Sequence, residues 1–299
     1  MFDNLYTKLL KVHDPEAGTT VTTDLEPAIS IDFSTRFVNS LQALQRALGI
    51  ANMEPLAEGS TVKIYKWKSP NPAPTQVGEG ETINLSEYKR ELAATKTLTL
   101  NKYRRNTTAE AIQRSGQAIA INGADGELLK DIYKDVKKGF FTQIKAGTGT
   151  ATGATGLQQA VANLWAALQT HFEDEEITPI FFVNPTDVAT YLGDASITTQ
   201  TAFGMQYLEN FLGMGTAFIT PQVAAGDVYA TVVENINGYY VPANGAVAQS
   251  FGLTYDTTGL IGMKHYTRDD SASIGTLAMS GVLFVPEYID GIFKSVISG

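Results

Sequence analysis

Residues 125–150 read Asp125-Gly-Glu-Leu-Leu-Lys-Asp-Ile-Tyr-Lys-Asp-Val-Lys-Lys-Gly-Phe-Phe-Thr-Gln-Ile-Lys-Ala-Gly-Thr-Gly-Thr150, and the rest of the chain is parsed from them. Leu129, Ile132, Tyr133, Val136, Phe140 and Ile144 recur at steps of three and four, the spacing of one helical face. The acids come first (Asp125, Glu127, Asp131) and the bases last (Lys137, Lys138, Lys145), which complements the helix dipole. The pattern predicts a long helix over 125–145. The glycines at 147, 149, 153 and 156 then read as a flexible turn. Leu157, Val161, Leu164, Trp165, Leu168 and Phe172 mark a second amphipathic helix, which ends in the acidic patch 173–176. A short helix over about 108–120 precedes the long one, with an interruption expected at Asn122 and Gly123.

Upstream, residues 60–68 (Ser-Thr-Val-Lys-Ile-Tyr-Lys-Trp-Lys) carry strand-forming types in loose alternation and stop at Pro70, Pro72 and Pro74. A second extended run is expected from about Ala93 to Thr107, so that 60–105 forms a long hairpin. Arms of ten to fourteen residues reach roughly 35 to 45 Å, whereas a folded chain of this size has a radius of gyration of about 19 Å. A lone hairpin is marginal in water, yet this one carries Val62, Ile64, Tyr65, Trp67, Leu98, Leu100 and Tyr103. It needs a second surface, either its own domain or a neighbouring copy. Before it, Phe33, Phe37, Leu41, Leu44 and Leu48 share a helical face closed by Gly49, and residues 1–30 read as an extended arm.

Downstream, 179–183 reads as a buried strand, and Asn184-Pro185-Thr186-Asp187 starts a helix with Asn184 as N-cap. Further strands are expected at 216–220, 228–233, 238–241, about 258–267 and 275–285, before a terminal apolar stretch from Tyr288 to Ile297. The class is α+β.

Net charge is −9, unevenly spread. Residues 60–105 hold nine Lys/Arg against four Asp/Glu, while 146–263 contain ten acids and no Lys or Arg. That second stretch cannot neutralise phosphates, which excludes nucleic-acid recognition by it. The two blocks are either solvated faces or surfaces that attract each other between subunits. There is no cysteine, so disulfides, thiolate zinc sites and cysteine nucleophiles are excluded together. The longest apolar runs, such as 180–183 and 282–285, fall far short of the ~18 residues of a membrane helix. The start, Met1-Phe-Asp-Asn4, predicts no secretory signal.

The search for chemistry finds little. His13, His171 and His265 lie far apart and in no metal-ligand spacing. His171, near Glu173 and Asp174, reads as a helix-end residue on an acidic face, and Asp269-Asp270-Ser271 as a turn. The glycine-rich turn fails the P-loop pattern, because Gly149 and Gly153 are followed by Ala154 and Thr155 with no lysine. It fails the dinucleotide pattern because Thr152 stands where a third glycine is needed, and no Gly-x-Ser-x-Gly elbow occurs. No catalytic, metal-binding or cofactor-binding residue is assigned, and the chain is not expected to be an enzyme.

The order of elements, arm, helix, basic hairpin, long helix, glycine-rich turn, second helix, mixed α/β block and returning C-terminal sheet, resembles that of the major capsid proteins of tailed bacteriophages with the Hong Kong 97 phage fold. The stretches most similar to that family are Thr108-Ala-Glu-Ala-Ile-Gln, the helix from Asp125 into Gly147-Thr-Gly-Thr, Phe181-Phe-Val-Asn-Pro-Thr-Asp, and Tyr229-Ala-Thr-Val-Val-Glu-Asn-Ile-Asn-Gly-Tyr-Tyr. The resemblance implies an N-terminal arm over 1–30, a helix and connection over 31–59, and an extended loop over 60–105 lying on the adjacent subunit. It further implies a peripheral domain from 106–178 and 258–299 with the long helix as spine, and an axial domain over 179–257.

The implied function is architectural: pentamers and hexamers close into an icosahedral shell around double-stranded DNA, assembled in the host cytoplasm and found in the virion. Lys63, Tyr65, Lys66, Trp67, Lys68, Arg90 and Arg104 are the candidate inter-subunit contacts. A separate scaffolding protein and a portal are the expected partners, with no membrane and no cofactor. Because Met1 begins directly at the arm, no large cleaved segment is expected. Some relatives weld subunits through a lysine of the loop and an asparagine near the C-terminus; residues 260–299 hold no asparagine, so a non-covalent shell is expected. The competing readings are an encapsulin-like compartment, a tail or adhesin component that assembles without closing, and a hydrolase with a dispersed active site.

Overall fold

The computed structural model describes residues 33–45, 53–71, 78–80, 82, 85, 87–173, 176–193, 200–202, 205–255 and 258–298. The expected arm, Leu48, Gly49 and His13 lie outside them. Residues 33–45 form α1. Then come β1 (Met53–Pro55), β2 (Thr61–Asn71), β3 (Glu87–Thr97), β4 (Asn101–Thr108), α2 (Ala109–Ser115), α3 (Gln117–Ile144) and β5 (Gly149–Thr150). The next block is α4 (Leu157–His171), β6 (Pro179–Val183), α5 (Pro185–Leu192), β7 (Gln200–Ala202), β8 (Met205–Phe211), β9 (Gly215–Ile219) and β10 (Asp227–Val232). The chain closes with β11 (Ile236–Val241), α6 (Gly245–Phe251), β12 (Thr254–Tyr255), β13 (Gly262–Arg268), β14 (Ser273–Pro286) and β15 (Phe293–Val296). The class is α+β, as the sequence predicts.

Two sheets share the core. One runs β5-β15-β10-β6-β9-β8-β7, and the other runs β1-β11-β14-β13-β12 with β4 paired on β14. All five residues of β6 are buried because both faces of that sheet are covered. Alternate side chains go to opposite sides: Ile180 and Phe182 join α1 and α3, whereas Phe181 and Val183 join Leu157, Val161, Leu164 and Leu168 of α4. The stripe read on α3 is the one that packs. Leu129, Ile132, Val136, Phe140 and Ile144 are buried, and Tyr133 stacks on Phe37 of α1 with ring centroids 5.8 Å apart. The Phe140 ring meets Phe182 of one sheet at 5.5 Å and Phe284 of the other at 6.1 Å, so α3 holds the two together. On α4 the expected face is correct except at Trp165, which is 38% exposed.

The structure corrects several expectations. The break before the long helix falls at Gly116 (φ 82°), not at Asn122 and Gly123, which are helical. A β-carbon at Gly123 would meet nothing within 4 Å, so this glycine costs propensity alone, and the packing of α3 overrides it. The glycine-rich turn is no flexible linker at its start: Gly149 and Thr150 pair in parallel with Phe293 and Lys294. A β-carbon on Gly147 would stand 2.6 Å from the Ile292 side chain, and one on Gly149 would stand 2.6 Å from the Ile292 carbonyl oxygen. These glycines are required by close packing. The expected single run 93–107 is two strands, since β3 pairs with β2 but β4 turns away to pair with β14. Pro70 does not end β2, which continues to Asn71 across an irregularity in register.

Candidate assembly interface

The base of the β2–β3 hairpin is seated on its own fold, the first of the two surfaces the sequence left open. Val62 and Ile64 are buried beside Val285. The Tyr65 N–H donates to the Glu287 carbonyl at 2.7 Å, and the Ile289 N–H donates to the Tyr65 carbonyl at 3.0 Å. The Trp67 N–H donates to Asp290 Oδ2 at 3.2 Å, and the indole stacks on Tyr288 with centroids 5.8 Å apart. The other carboxylate oxygen of Asp290, Oδ1, is buried without a hydrogen-bond partner among the described residues.

The strap from Glu287 to Gly291 is itself pinned by buried Asn235. Its side-chain oxygen accepts from the Tyr288 N–H at 2.8 Å, while its amide donates to the Tyr288 carbonyl at 2.8 Å. Thr231 Oγ1 donates to the Gly291 carbonyl at 2.9 Å. Asn235 thus ties the hairpin's seat to β10. Burial and then the Glu287 charge push the Tyr288 phenol up, against the opposing pull of Arg90.

The seven candidate contact residues divide by location. Tyr65 and Arg90 meet at the base, with the guanidinium 3.8 Å from the Tyr65 ring centre and bonded to Glu287 at 2.5 Å. Lys66 and Lys68 both approach Glu91 of β3, at 3.6 and 2.9 Å. The hydrogen bond to Glu91 raises the Lys68 ammonium and holds the Glu91 carboxyl below the usual range. Trp67 is 54% exposed, as are Tyr88 (64%) and Leu92 (53%) on β3. Lys63 is exposed and lines a groove with Leu56 and Tyr239. Arg104 is not on the hairpin at all. It lies on β4 opposite Leu277, 5.9 Å from the Tyr266 ring.

Beside Trp67 opens a cleft of about 530 Å³, walled by Trp67, Phe172 and Tyr288 and carrying Glu173, Glu234 and Glu287. His171 closes the end of α4 there, with its ring edge-on to Phe172 at 4.8 Å and Phe293 at 5.4 Å. Sequence reading gave His171 the acidic surroundings but not the aromatic cleft, because Phe293 arrives from β15, Trp67 from the hairpin and Tyr288 from the strap.

The reading of the histidines missed the buried group around His265. Its Nε2 lies 3.0 Å from Asp125 Oδ2, and Thr276 Oγ1 donates to Asp125 Oδ1 at 2.9 Å, with Asp125 fully buried. Asp125 stands four before Leu129 and seven before Ile132, on the apolar stripe, and that spacing was the available signal. The threonine hydroxyl donates to the carboxylate and not to the imidazole. The group fastens α3 to β13 and β14. Among the described residues there is no cluster of three metal-ligating side chains, and no helix is long and apolar enough to cross a membrane.

No family model matches the sequence, and no curated protein matches it either. Solved structures do. The capsid of an empty GTA particle aligns at a TM-score of 0.54 and 12% identity, over 86% of this chain and 90% of that one. A virus-like particle from Pyrococcus furiosus aligns at 0.46 and 13% identity, over 87% of this chain and 99% of that one. The SrpI encapsulin of Synechococcus elongatus aligns at 0.48 and 11% identity, over 85% and 87%. With a hairpin seated on the 287–291 strap and a long helix joining two sheets, the chain has the capsid-shell fold of the Hong Kong 97 phage type.

Proposed function

We propose that the chain is the major capsid protein of a tailed bacteriophage, assembling through pentamers and hexamers into an icosahedral shell around double-stranded DNA. The observation that carries this reading is the shared fold with the GTA capsid over 86% of the chain. The hairpin supports it, since Trp67, Tyr88 and Leu92 remain more than half exposed after the base is seated, and exposed apolar groups of this size mark interaction surfaces. In this reading 60–105 is the loop that covers the adjacent subunit, and 1–30 is the arm. Residues 31–59 are the helix and connection to it, 106–178 with 258–299 form the peripheral domain, and 179–257 meet their copies around the symmetry axes. The protein acts as a container wall and carries out no reaction. A separate scaffolding protein and a portal complete the head.

The test is electron microscopy and mass photometry of the full chain, expressed alone and together with the other head proteins of its genome. Closed shells holding DNA support the phage role. Shells filled with a protein cargo assign a compartment instead, and a monomer that stays inert with its scaffold refutes both.

A further inference from the structure

The cleft beside Trp67 holds more negative charge than the chain itself neutralises. Arg90 pairs with Glu287, but no Lys or Arg lines the opening. Glu234 accepts from the Thr178 N–H at 3.3 Å, and Glu173 faces the same space. Neither is in an ion pair among the described residues. Asp290, which receives the Trp67 N–H, keeps its other oxygen buried and unpartnered among those residues. After burial, Glu287 and Asp290 are the charges that resist ionisation of Tyr288, with Arg90 opposing, so the negative field reaches the aromatic wall. Through Thr170 and His171 the cleft, of about 530 Å³, continues into a groove of about 510 Å³ along α4. Thr150, Thr152 and Asn163 wall that groove, without an acid, a lysine or an arginine.

We propose that this cleft is a binding site for a linear aliphatic polyamine. Three features select that class. Glu173 and Glu234, two carboxylates without a cation, call for at least two positive charges on the occupant. The rings of Trp67, Phe172 and Tyr288 suit alkyl ammonium groups, since ring faces attract such cations within about 6 Å and cover methylenes. A hydrated metal ion gains nothing from them, and among the described residues no three metal-ligating side chains cluster. The third feature is shape: an enclosed acidic end runs into a long neutral trough whose hydroxyl and amide oxygens accept from further N–H groups. A bound polyamine touches the end of α4, the turn between β10 and β11, the 287–291 strap and the hairpin at once, so it favours the seated hairpin by linkage. The site belongs to the folded subunit and does not depend on the shell reading.

The experiment titrates the full-length protein with spermidine at low salt, by calorimetry and by tryptophan fluorescence. The chain has two tryptophans, so Trp165→Phe leaves Trp67 as the reporter of the cleft. Saturable binding with a change in Trp67 emission is expected. Affinity should fall about tenfold in Glu173→Gln with Glu234→Gln, as two partly exposed ion pairs imply; glutamine keeps an acceptor for the Thr178 N–H. A ligand series tests the same point without any variant: hexylamine, with one ammonium, should bind about tenfold more weakly than spermidine. Absence of a saturable response at millimolar spermidine overturns the site, as does equal affinity for hexylamine or in the double variant. Displacement of spermidine by magnesium at equal charge concentration also overturns it, because the attraction would then be diffuse. Tighter binding of trilysine than of spermidine overturns it in favour of a lysine-bearing protein segment.

Discussion

Replacing Asp125 with alanine is the most informative change to the fold. The carboxylate is wholly buried and holds two donors, His265 Nε2 at 3.0 Å and Thr276 Oγ1 at 2.9 Å. A carboxylate only accepts, so the nitrogen facing it carries a proton. Alanine leaves both donors inside the protein without that acceptor. Each such loss costs about 1–3 kcal/mol, so the expected destabilisation is about 4 kcal/mol. Unfolding entropy of about 2.1 cal/mol/K per residue, over 299 residues, converts this to a fall in midpoint of about 6 °C. Thermal unfolding followed by circular dichroism, at one fixed protein concentration, reads it directly. Thr276→Val removes one donor only and is expected to fall about one third as far. Glu127→Ala, on the solvent side of the same helix, serves as the control with no measurable shift. A midpoint for Asp125→Ala within about 1 °C of the parent would refute the reasoning, because the buried group would then contribute nothing to the joint between α3 and the sheet.

Tyr103, pushed by burial and then by the Asp135 charge from its ordinary 10.0 up to about 12, stabilises the fold below its unfolded value. That contribution is expected to be lost as pH rises from 10.0 to about 12; a pH series of urea midpoints should show a shallower alkaline decline for Tyr103→Phe. Gly149→Ala must displace the Ile292 carbonyl and the Phe293 ring, at a cost of about 1–3 kcal/mol. Gly123→Ala, with open space around it, should gain about 0.5–1 kcal/mol, and equal shifts in differential calorimetry would contradict the packing argument. Trp67→Ala loses a stack on Tyr288 but little burial. Particle yield should drop in negative-stain counts while the thermal midpoint of the subunit stays close to the parent.

Much of this fold can be read from periodicity alone. The apolar stripe of α3, the buried run 179–183 and the Asn184 cap are local signals, and the cap is made as expected, with the Thr186 N–H donating to Asn184 Oδ1 at 2.8 Å. What could not be read depends on residues far apart in the chain. Gly147 and Gly149 look flexible until Ile292 arrives more than 140 positions later. β4 looks like the second half of a hairpin arm until β14 offers it a better partner. Six of the seven candidate contact residues lie on the hairpin, as their spacing predicts, and Arg104 lies on β4 instead. The sequence could not foresee that Lys66, Lys68 and Arg90 find acids within their own chain, because Glu91 is set opposite by a register shift and Glu287 by the strap. The acidic and aromatic cleft is the clearest case. Trp67, Phe172, Glu234 and Tyr288 come from four separate segments, and no spacing rule connects them.

The position of β15 has a consequence for how the subunit is made. This strand, four residues from the chain's last few, lies inside its sheet with β5 on one side and β10 on the other. At roughly 5–20 residues per second, a ribosome spends tens of seconds on a chain of this length. For the last several seconds of that time the edge of β10 at Asp227–Ala230 waits for Phe293–Val296, and the strap that seats the hairpin is made only just before them. Until both arrive, the base of the hairpin has no seat to pack on. The order of strands thus sets the order of folding: the sheet around β10 closes late, and the hairpin is seated only with it.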